Sequence, residues 1–142
     1  MKVLLLNGSP HSKGCTYTAL MEIATTLDKH GIQWELVQIG STVVPGCLGC
    51  GKCKGGNPCI IDDGVNALAA RLEEFDAMVV GSPIYYAGPS GQCTAFLDRL
   101  FYSASDKLKG SLLQPSYPAA VEVPVRALIG STSISPLALC LL

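Results

Sequence analysis

The chain opens with MKVLLLNGSP, residues 1–10, and this stretch decides the fold. Its apolar run over residues 2–6 is typical of a short buried strand. The four residues that follow, from Asn7 to Pro10, are polar or turn-forming, so the strand is expected to end in a tight turn. A helix is predicted next, over residues 16–30, with a stop at Lys29-His30-Gly31.

The same alternation of strand and helix continues along the chain. Two further strands are predicted, over residues 32–39 and 75–81, and two further helices, one after Asp62-Asp63-Gly64 and one over residues 91–105. This βαβαβ order predicts an α/β fold with a doubly wound parallel sheet, of which three strands are recognisable. Ligands of such sheets bind at the carboxyl ends of the strands.

Composition excludes several classes of protein. The 142 residues are 49% hydrophobic and 15% charged, with a net charge of −1. One domain with an apolar core is therefore expected, and neither a disordered chain nor a nucleic-acid-binding protein. No apolar run approaches the roughly 18 residues of a membrane span, and the opening run is too short for a secretory signal, so a cytoplasmic protein without a membrane partner is expected.

The loop after the first strand, residues 8–16, has the composition of a phosphate-binding loop. It combines hydroxyl groups, a lysine and two glycines with the beginning of a helix, whose N–H groups and dipole favour an anion. It is neither a Walker loop nor the dinucleotide fingerprint G-x-G-x-x-G. The alternative is an ordinary connection between a strand and a helix.

The loop after the third strand, residues 81–91, carries two adjacent aromatic side chains, Tyr85 and Tyr86. Between Pro and Gly at the mouth of a parallel sheet, they can stack on a flat heterocycle. A phosphate loop beside such a surface indicates a mononucleotide. The alternative is that the two tyrosines cap the core and that Asp98 and Arg99 form a surface pair.

Four of the seven cysteines form a compact C-x2-C-x2-C-x5-C run over residues 47–59. Thiolates at this spacing can wrap an iron–sulfur cluster, and the interleaved glycines let backbone N–H groups face the sulfides. Lys52 and Lys54 would offset part of the cluster's negative charge. Tetrahedral zinc, free thiols and a redox disulfide remain alternatives. Outside the run, Cys93 is expected to be a small core residue.

Three motifs together resemble a known family over residues 1 to about 110. They are the opening strand with NGSP, the cysteine run followed by IIDD, and GSPIYY leading into FLDR. The chain resembles the flavodoxin-like NADPH-dependent FMN reductases, and most closely their iron-sulfur flavoprotein branch. His11 and Cys15 depart from the family's frequent Arg and Asn, which predicts weaker phosphate binding.

The resemblance implies a function and a set of ligands. FMN would take electrons from NAD(P)H and pass them through a [4Fe-4S] cluster to a redox partner protein or a small-molecule acceptor, and the chain would form a homodimer or homotetramer. The implied phosphate site is Ser9, Ser12, Gly14, Cys15 and Thr16. The flavin ring would lie against Pro83, Ile84, Tyr85, Tyr86 and Gly88, and the cluster would be held by Cys47, Cys50, Cys53 and Cys59.

The tail departs from the family. The domain predicted over residues 1–110 is a partial flavodoxin-like FMN-binding domain, and residues 111–142 lack a clear strand or helix period. One hypothesis is that this tail is the family's coding sequence read out of frame, which would leave the sheet two strands short. The alternative function is then an inactive or metal-stabilised fragment. A redox-sensing module that uses its cysteines alone is a third reading.

Overall fold

The computed structural model describes residues 1–107, in which three parallel strands form the main sheet. β1 (Lys2–Asn7) lies between β2 (Gln33–Gln38) and β3 (Ala77–Gly81). Both pairings are parallel, with Asn7 opposite Gln38 on one side and opposite Gly81 on the other. This confirms the predicted α/β fold. It also places the carboxyl ends of all three strands at one edge of the sheet.

Helices cover both faces of the sheet. On β1, Val3 and Leu5 face α1 (Cys15–Lys29), whereas Leu4 and Leu6 face the core under α2 (Gly64–Arg71) and α3 (Gly91–Ser103). Successive side chains of a strand point to opposite faces, so a strand buried on both sides is a continuous apolar run. The opening residues are apolar for this reason.

The boundaries between α2 and β3 differ from those predicted. The helical pattern after Asp63 continues past α2 only as a 3-10 turn over Leu72–Glu74, and β3 begins at Ala77 rather than at residue 75. The Phe75 N–H closes the 3-10 turn by donating to the Leu72 carbonyl, 3.2 Å away, so Phe75 is not free to pair with β1. The loop after β3 contains an additional short hairpin of β4 (Ile84–Tyr85) and β5 (Gly88–Pro89).

None of the helices within residues 1–107 is long and apolar enough to cross a membrane. The predicted tail, residues 111–142, and the hypothesis that it is read out of frame lie outside the described residues.

Candidate functional site

The loops after β1 and β3 meet at the carboxyl edge of the sheet, and Gly8 is their meeting point. The Gly8 N–H donates to the Gly81 carbonyl at 2.7 Å, and the Ser90 hydroxyl donates to the Gly8 carbonyl at 2.7 Å. The Ser90 N–H in turn donates to Ser82 Oγ at 2.9 Å. These bonds join the β1–α1 loop, residues 8–14, to both ends of the hairpin that contains β4 and β5.

Buried and half-buried polar side chains hold the first part of the β1–α1 loop. Asn7 is fully buried, donates to Gln38 Oε1 at 2.7 Å and accepts from the Ser9 N–H at 3.1 Å. Gln38 also donates to the Ser9 carbonyl at 2.6 Å, and Ser9 Oγ accepts from the His11 N–H at 3.1 Å. The Ser9 side chain therefore lies inside the turn and shapes the loop, while its predicted phosphate contact stays a prediction.

The first turn of α1 differs from that of the two other α-helices described in residues 1–107. Asp63 caps α2 by accepting from the Val65 N–H, and Ser90 caps α3 by accepting from the Cys93 N–H. The N-cap of α1 is Gly14, which supplies no side-chain acceptor. The N–H groups at the start of a helix favour an anion when no side chain satisfies them.

The remaining residues predicted to bind phosphate lie at this uncapped end. Ser12 and Cys15 are exposed, and Gly14 and Thr16 are half-buried. Their placement brings together the four positions that the sequence singled out besides Ser9.

Close packing beneath the β1–α1 loop leaves no room for side chains at two glycines. A Cβ on Gly40 would lie 2.3 Å from the Gly8 carbonyl oxygen, and a Cβ on Gly8 would lie 2.7 Å from Cys93 Sγ. Cys93 is fully buried, which confirms it as a core residue, and burial raises the pKa of its thiol. The position of this loop therefore depends on three chain segments that touch directly.

The hairpin presents its aromatic side chains to solvent. Tyr85 is 53% exposed and Tyr86 is fully exposed, so the alternative in which they cap the core is wrong. Tyr86 and Ala87 form the two-residue turn with φ of 47° and 62°. Positive φ costs roughly 1–2 kcal/mol for a residue with a Cβ, so this turn is held against strain by the strands on either side.

The cysteine loop, residues 47–59, keeps its four thiols free and unequally exposed. Cys47 and Cys50 are exposed, Cys59 is half-buried and Cys53 is buried. Burial raises the pKa of the Cys53 thiol, and the three neighbouring thiols raise it further. Within residues 1–107, no group of three or more His, Cys, Asp or Glu side chains is arranged to hold a metal. The four cysteines as ligands therefore stay a prediction.

Arg99 of α3 joins the two ends of the cysteine loop. Its side chain is fully buried and pairs with Asp63, with Nη1 to Oδ2 at 2.6 Å and Nη2 to Oδ1 at 2.9 Å. The same guanidinium donates to the carbonyls of Ile61 at 2.8 Å and Pro45 at 3.4 Å, and to Cys59 Sγ at 3.5 Å. The alternative in which Arg99 pairs with Asp98 at the surface is wrong, because Arg99 points inward.

A sequence model of the NADPH-dependent FMN reductase family matches residues 1–122. The chain belongs to this family. It is 32% identical to an iron-sulfur flavoprotein from Methanocaldococcus jannaschii over 99 residues, which are 70% of this chain and 51% of that protein. It is 33% identical to an iron-sulfur flavoprotein from Archaeoglobus fulgidus over 111 residues, 78% of this chain and 50% of that protein.

These curated relatives confirm the iron-sulfur flavoprotein branch of the FMN reductase family. This chain spans about half the length of the curated relatives it matches. Among solved structures, a protein assigned as a quinone reductase from Klebsiella pneumoniae superposes with a TM-score of 0.54 at 13% identity, over 71% of this chain and 45% of that one. At this identity the likeness supports the flavodoxin-like fold alone.

The carboxyl edge of this FMN reductase-family chain fits FMN in its donor chemistry. The uncapped first turn of α1 offers N–H donors to a phosphate, and the exposed tyrosines offer flat apolar surface to a ring. The cysteine loop fits a thiolate-ligated group in its donor set of four free thiols. A buried guanidinium beside one of these thiols adds positive charge where such a group is negative.

Two residues that hold the cysteine loop were not assigned to it from the sequence. Asn66 clamps Cys59 from both sides, because its Nδ2 donates to the Cys59 carbonyl and its Oδ1 accepts from the Cys59 N–H, each at 2.9 Å. Arg99 is the other. A signal for Arg99 was present, since it lies three residues after Phe96 on the buried side of α3, where a cation requires an acidic partner. No such signal marks Asn66.

Proposed function

We propose that this FMN reductase-family chain is an FMN-dependent oxidoreductase that carries electrons from a reduced nicotinamide to an acceptor. A bound FMN would exchange two electrons with the nicotinamide, and a [4Fe-4S] cluster would pass them on singly. The observation that carries the proposal is the uncapped N-terminus of α1, which Gly8 joins to the aromatic hairpin at the carboxyl edge of the sheet.

The phosphate of FMN would be held by the first turn of α1. The backbone N–H groups after Gly14 lack a side-chain acceptor, and the exposed hydroxyl of Ser12 lies just before them. Lys13 adds a cation that solvent screens only in part. Backbone donors do not depend on side-chain identity, so His11 and Cys15 weaken this site without removing it.

The flavin ring would lie against the hairpin, over residues 83–88. The exposed faces of Tyr85 and Tyr86 supply the apolar contact, and the strained turn at Tyr86 and Ala87 sets the backbone position from which the Tyr86 side chain extends. Strain held at a ligand-binding turn is a common way to preorganise a site.

The cysteine loop would hold the cluster through Cys47, Cys50, Cys53 and Cys59. Four glycines of the loop, at positions 49, 51, 55 and 56, have positive φ, a conformation that lets the chain reverse direction repeatedly within a few residues. The helix α3 begins directly after the hairpin and reaches Cys59 through Arg99, eight residues or about 12 Å along its axis. One helix thus links the two proposed cofactor sites.

Partner contacts are proposed at the cysteine loop. Leu48 and Ile60 are 72% and 60% exposed at the two ends of the cysteine loop, which supports a protein contact there. We propose a second copy of the chain, in a homodimer or homotetramer, with a redox partner protein or a small molecule as acceptor. Sedimentation of the full chain tests the assembly, and a monomer at all concentrations would contradict it.

Anaerobic purification of the full chain, followed by quantitation of iron, acid-labile sulfide and flavin, tests the proposed function. We expect bound flavin together with iron and sulfide in equal amounts, and oxidation of NADH or NADPH with an added acceptor. The chain should bind FMN more tightly than riboflavin, because only FMN offers a phosphate to α1. A colourless chain that holds zinc or no metal would contradict the proposal.

Two cysteine variants separate the proposed sites. Cys47→Ser should lose iron and keep flavin, because only the cysteine loop is changed. Cys15→Ser is the matched control, since Cys15 is equally a free and exposed thiol but lies at α1. It should keep its iron. Equal loss of iron in both variants would mean that the cysteine loop is not the metal site.

A further inference from the structure

The guanidinium of Arg99 has one more donor than the described residues satisfy. Nη1 and Nη2 make five contacts among them, but the buried Nε–H has no hydrogen-bond partner within residues 1–107. An unpaired buried donor is costly, and native proteins rarely leave one. Arg99 can therefore donate to one more acceptor than Asp63 and the cysteine loop provide.

The residues that Arg99 contacts lie at both ends of the cysteine loop. They reach Pro45, two residues before the first cysteine of the loop, then Cys59 itself, and then Ile61 and Asp63 just after it. A cation that served only to neutralise Asp63 would not need the other three. The guanidinium instead fixes the entry and the exit of the cysteine loop relative to each other.

Arg71 shows what an ordinary surface arginine looks like in this molecule. It forms ion pairs with Glu35 at 2.8 Å and Glu74 at 3.0 Å, and its side chain remains 46% exposed. None of its hydrogen bonds involves the cysteine loop. The two arginines therefore provide a matched pair, one exposed and one buried against a thiol.

We propose that Arg99 is a positioning residue for the metal centre of the cysteine loop. It sets the separation between Pro45 and Cys59, and its Nη2 donates a hydrogen bond to the sulfur of Cys59. This inference rests on the proposed function, in which Cys59 is a ligand. It deepens that function by assigning the residue that orients this ligand and offsets part of its negative charge.

The chemistry of a thiolate-ligated group explains why a buried cation belongs there. Each coordinating thiol loses its proton, so the assembled group carries net negative charge in a partly buried place. Burying negative charge without compensation is costly, and a guanidinium 3.5 Å from one sulfur offsets part of that cost. Hydrogen bonds to ligand sulfurs also raise the reduction potential of a cluster.

Cobalt binding to the reduced, metal-free full chain tests this inference without activity as the readout. The absorption from cobalt–thiolate charge transfer reports how many sulfurs coordinate, and a titration gives the Kd for Co²⁺. Arg99→Gln should raise this Kd by roughly tenfold or more, as is usual when a residue that orients a metal ligand is removed. Its charge-transfer band at saturation should also be weaker. Arg71→Gln should match the wild-type chain in both measurements.

The variants Arg99→Lys and Arg71→Lys provide a second comparison in case Arg99→Gln does not fold. Arg99→Lys keeps the charge but loses the forked geometry, so it should bind Co²⁺ more weakly than Arg71→Lys and more tightly than any folded Arg99→Gln. In the cluster-loaded chain, Arg99→Lys should also show a lower reduction potential than Arg71→Lys. A merely structural contribution to stability would move neither the band at saturation nor the potential.

The outcomes separate this inference from the proposed function. A wild-type chain that takes up Co²⁺ through its thiols, together with Arg99 variants that match the Arg71 variants, overturns the inference alone. A wild-type chain that takes up no Co²⁺ overturns both the cysteine site and the part assigned to Arg99.

Discussion

The β1–α1 loop and the cysteine loop are held in opposite ways. Asn7, Gln38 and Ser9 fix the first half of the β1–α1 loop, up to His11, through uncharged hydrogen bonds that are buried or partly buried. The cysteine loop is mostly exposed, contains four glycines with positive φ, and is anchored by Arg99 and Asn66 at its ends. The β1–α1 loop is held by its own hydrogen bonds, whereas the cysteine loop is held at its ends and has free thiols between them.

This difference corresponds to the chemistry that each loop is proposed to do. A phosphate is bound by backbone N–H groups, which must already point in the right direction, so the loop that presents them benefits from a rigid backbone. A metal group bound by four thiolates contributes its own bonds to the final geometry. Its loop needs correct spacing and backbone freedom more than it needs internal hydrogen bonds.

The largest effect on stability is expected at the anchor of the cysteine loop. Arg99→Gln leaves Asp63 without its buried partner and should lower the free energy of unfolding by about 3 kcal/mol. Arg71→Gln breaks only exposed pairs and should cost less than about 1 kcal/mol. Urea unfolding of both variants measures the two values. Equal costs would mean that Arg99 is no more important to the fold than a surface arginine.

A slightly smaller effect is expected from crowding the β1–α1 loop. Gly40→Ala places a Cβ in steric overlap with the backbone of Gly8 and Ser9, and should cost about 2 kcal/mol and weaken FMN binding while metal uptake is preserved. Gly46→Ala is the control, because nothing lies within 4 Å of its added Cβ. If Gly40→Ala binds FMN like Gly46→Ala, the β1–α1 loop is not held as tightly as its contacts indicate.

Asn66→Ala should have a smaller effect, of about 1 kcal/mol, because it removes the two-sided clamp on the Cys59 backbone. Asn57→Ala is its control, since Asn57 makes a single exposed bond to the Lys54 carbonyl. Thermal unfolding measures the difference in stability. Alkylation of Cys59 in the metal-free chain, followed by mass spectrometry, should be faster in Asn66→Ala than in Asn57→Ala. Identical rates would argue against this anchor.

The smallest effect concerns acid. Burial raises the pKa of Asp63, but hydrogen bonds from Arg99 and the Val65 N–H outweigh burial and hold the pKa below its ordinary value of 3.8. Because the folded chain favours the carboxylate, this stability is present above that value and is lost as the pH falls below it. Acid should therefore release the anchor of the cysteine loop and leave the uncharged bonds of the β1–α1 loop intact.

Urea unfolding of wild type and Asp63→Asn between pH 5 and about pH 3 measures this contribution. The variant should be less stable at pH 5, and its stability should fall less on acidification than that of wild type. Glu35→Gln serves as the comparison, because Glu35 lies on β2 opposite Leu4, where Arg71 and Lys2 lower its pKa to about 2. Parallel pH profiles for wild type and Asp63→Asn would show that Asp63 contributes nothing to acid sensitivity.

Much of the fold could be predicted because the spacing of apolar residues along the sequence indicates which positions are buried. The strand predicted over residues 2–6 and the helices predicted over residues 16–30 and 91–105 match β1, α1 and α3 to within two residues. The hairpin at residues 84–89 was missed because its strands have two residues each, too few to show a period. The 3-10 turn was missed because its pattern continues that of α2 until the Phe75 N–H closes it.

The sequence by itself determined the local elements, the candidate phosphate and ring loops, and the four-cysteine run. Each of these depends on residues that are near each other along the chain. Only the tertiary structure decided which groups hold those loops, because the bonds from Arg99 to Pro45 and from Ser90 to Gly8 span 54 and 82 residues. Contacts of that separation are set by how the helices pack on the two faces of the sheet, and no local spacing records them.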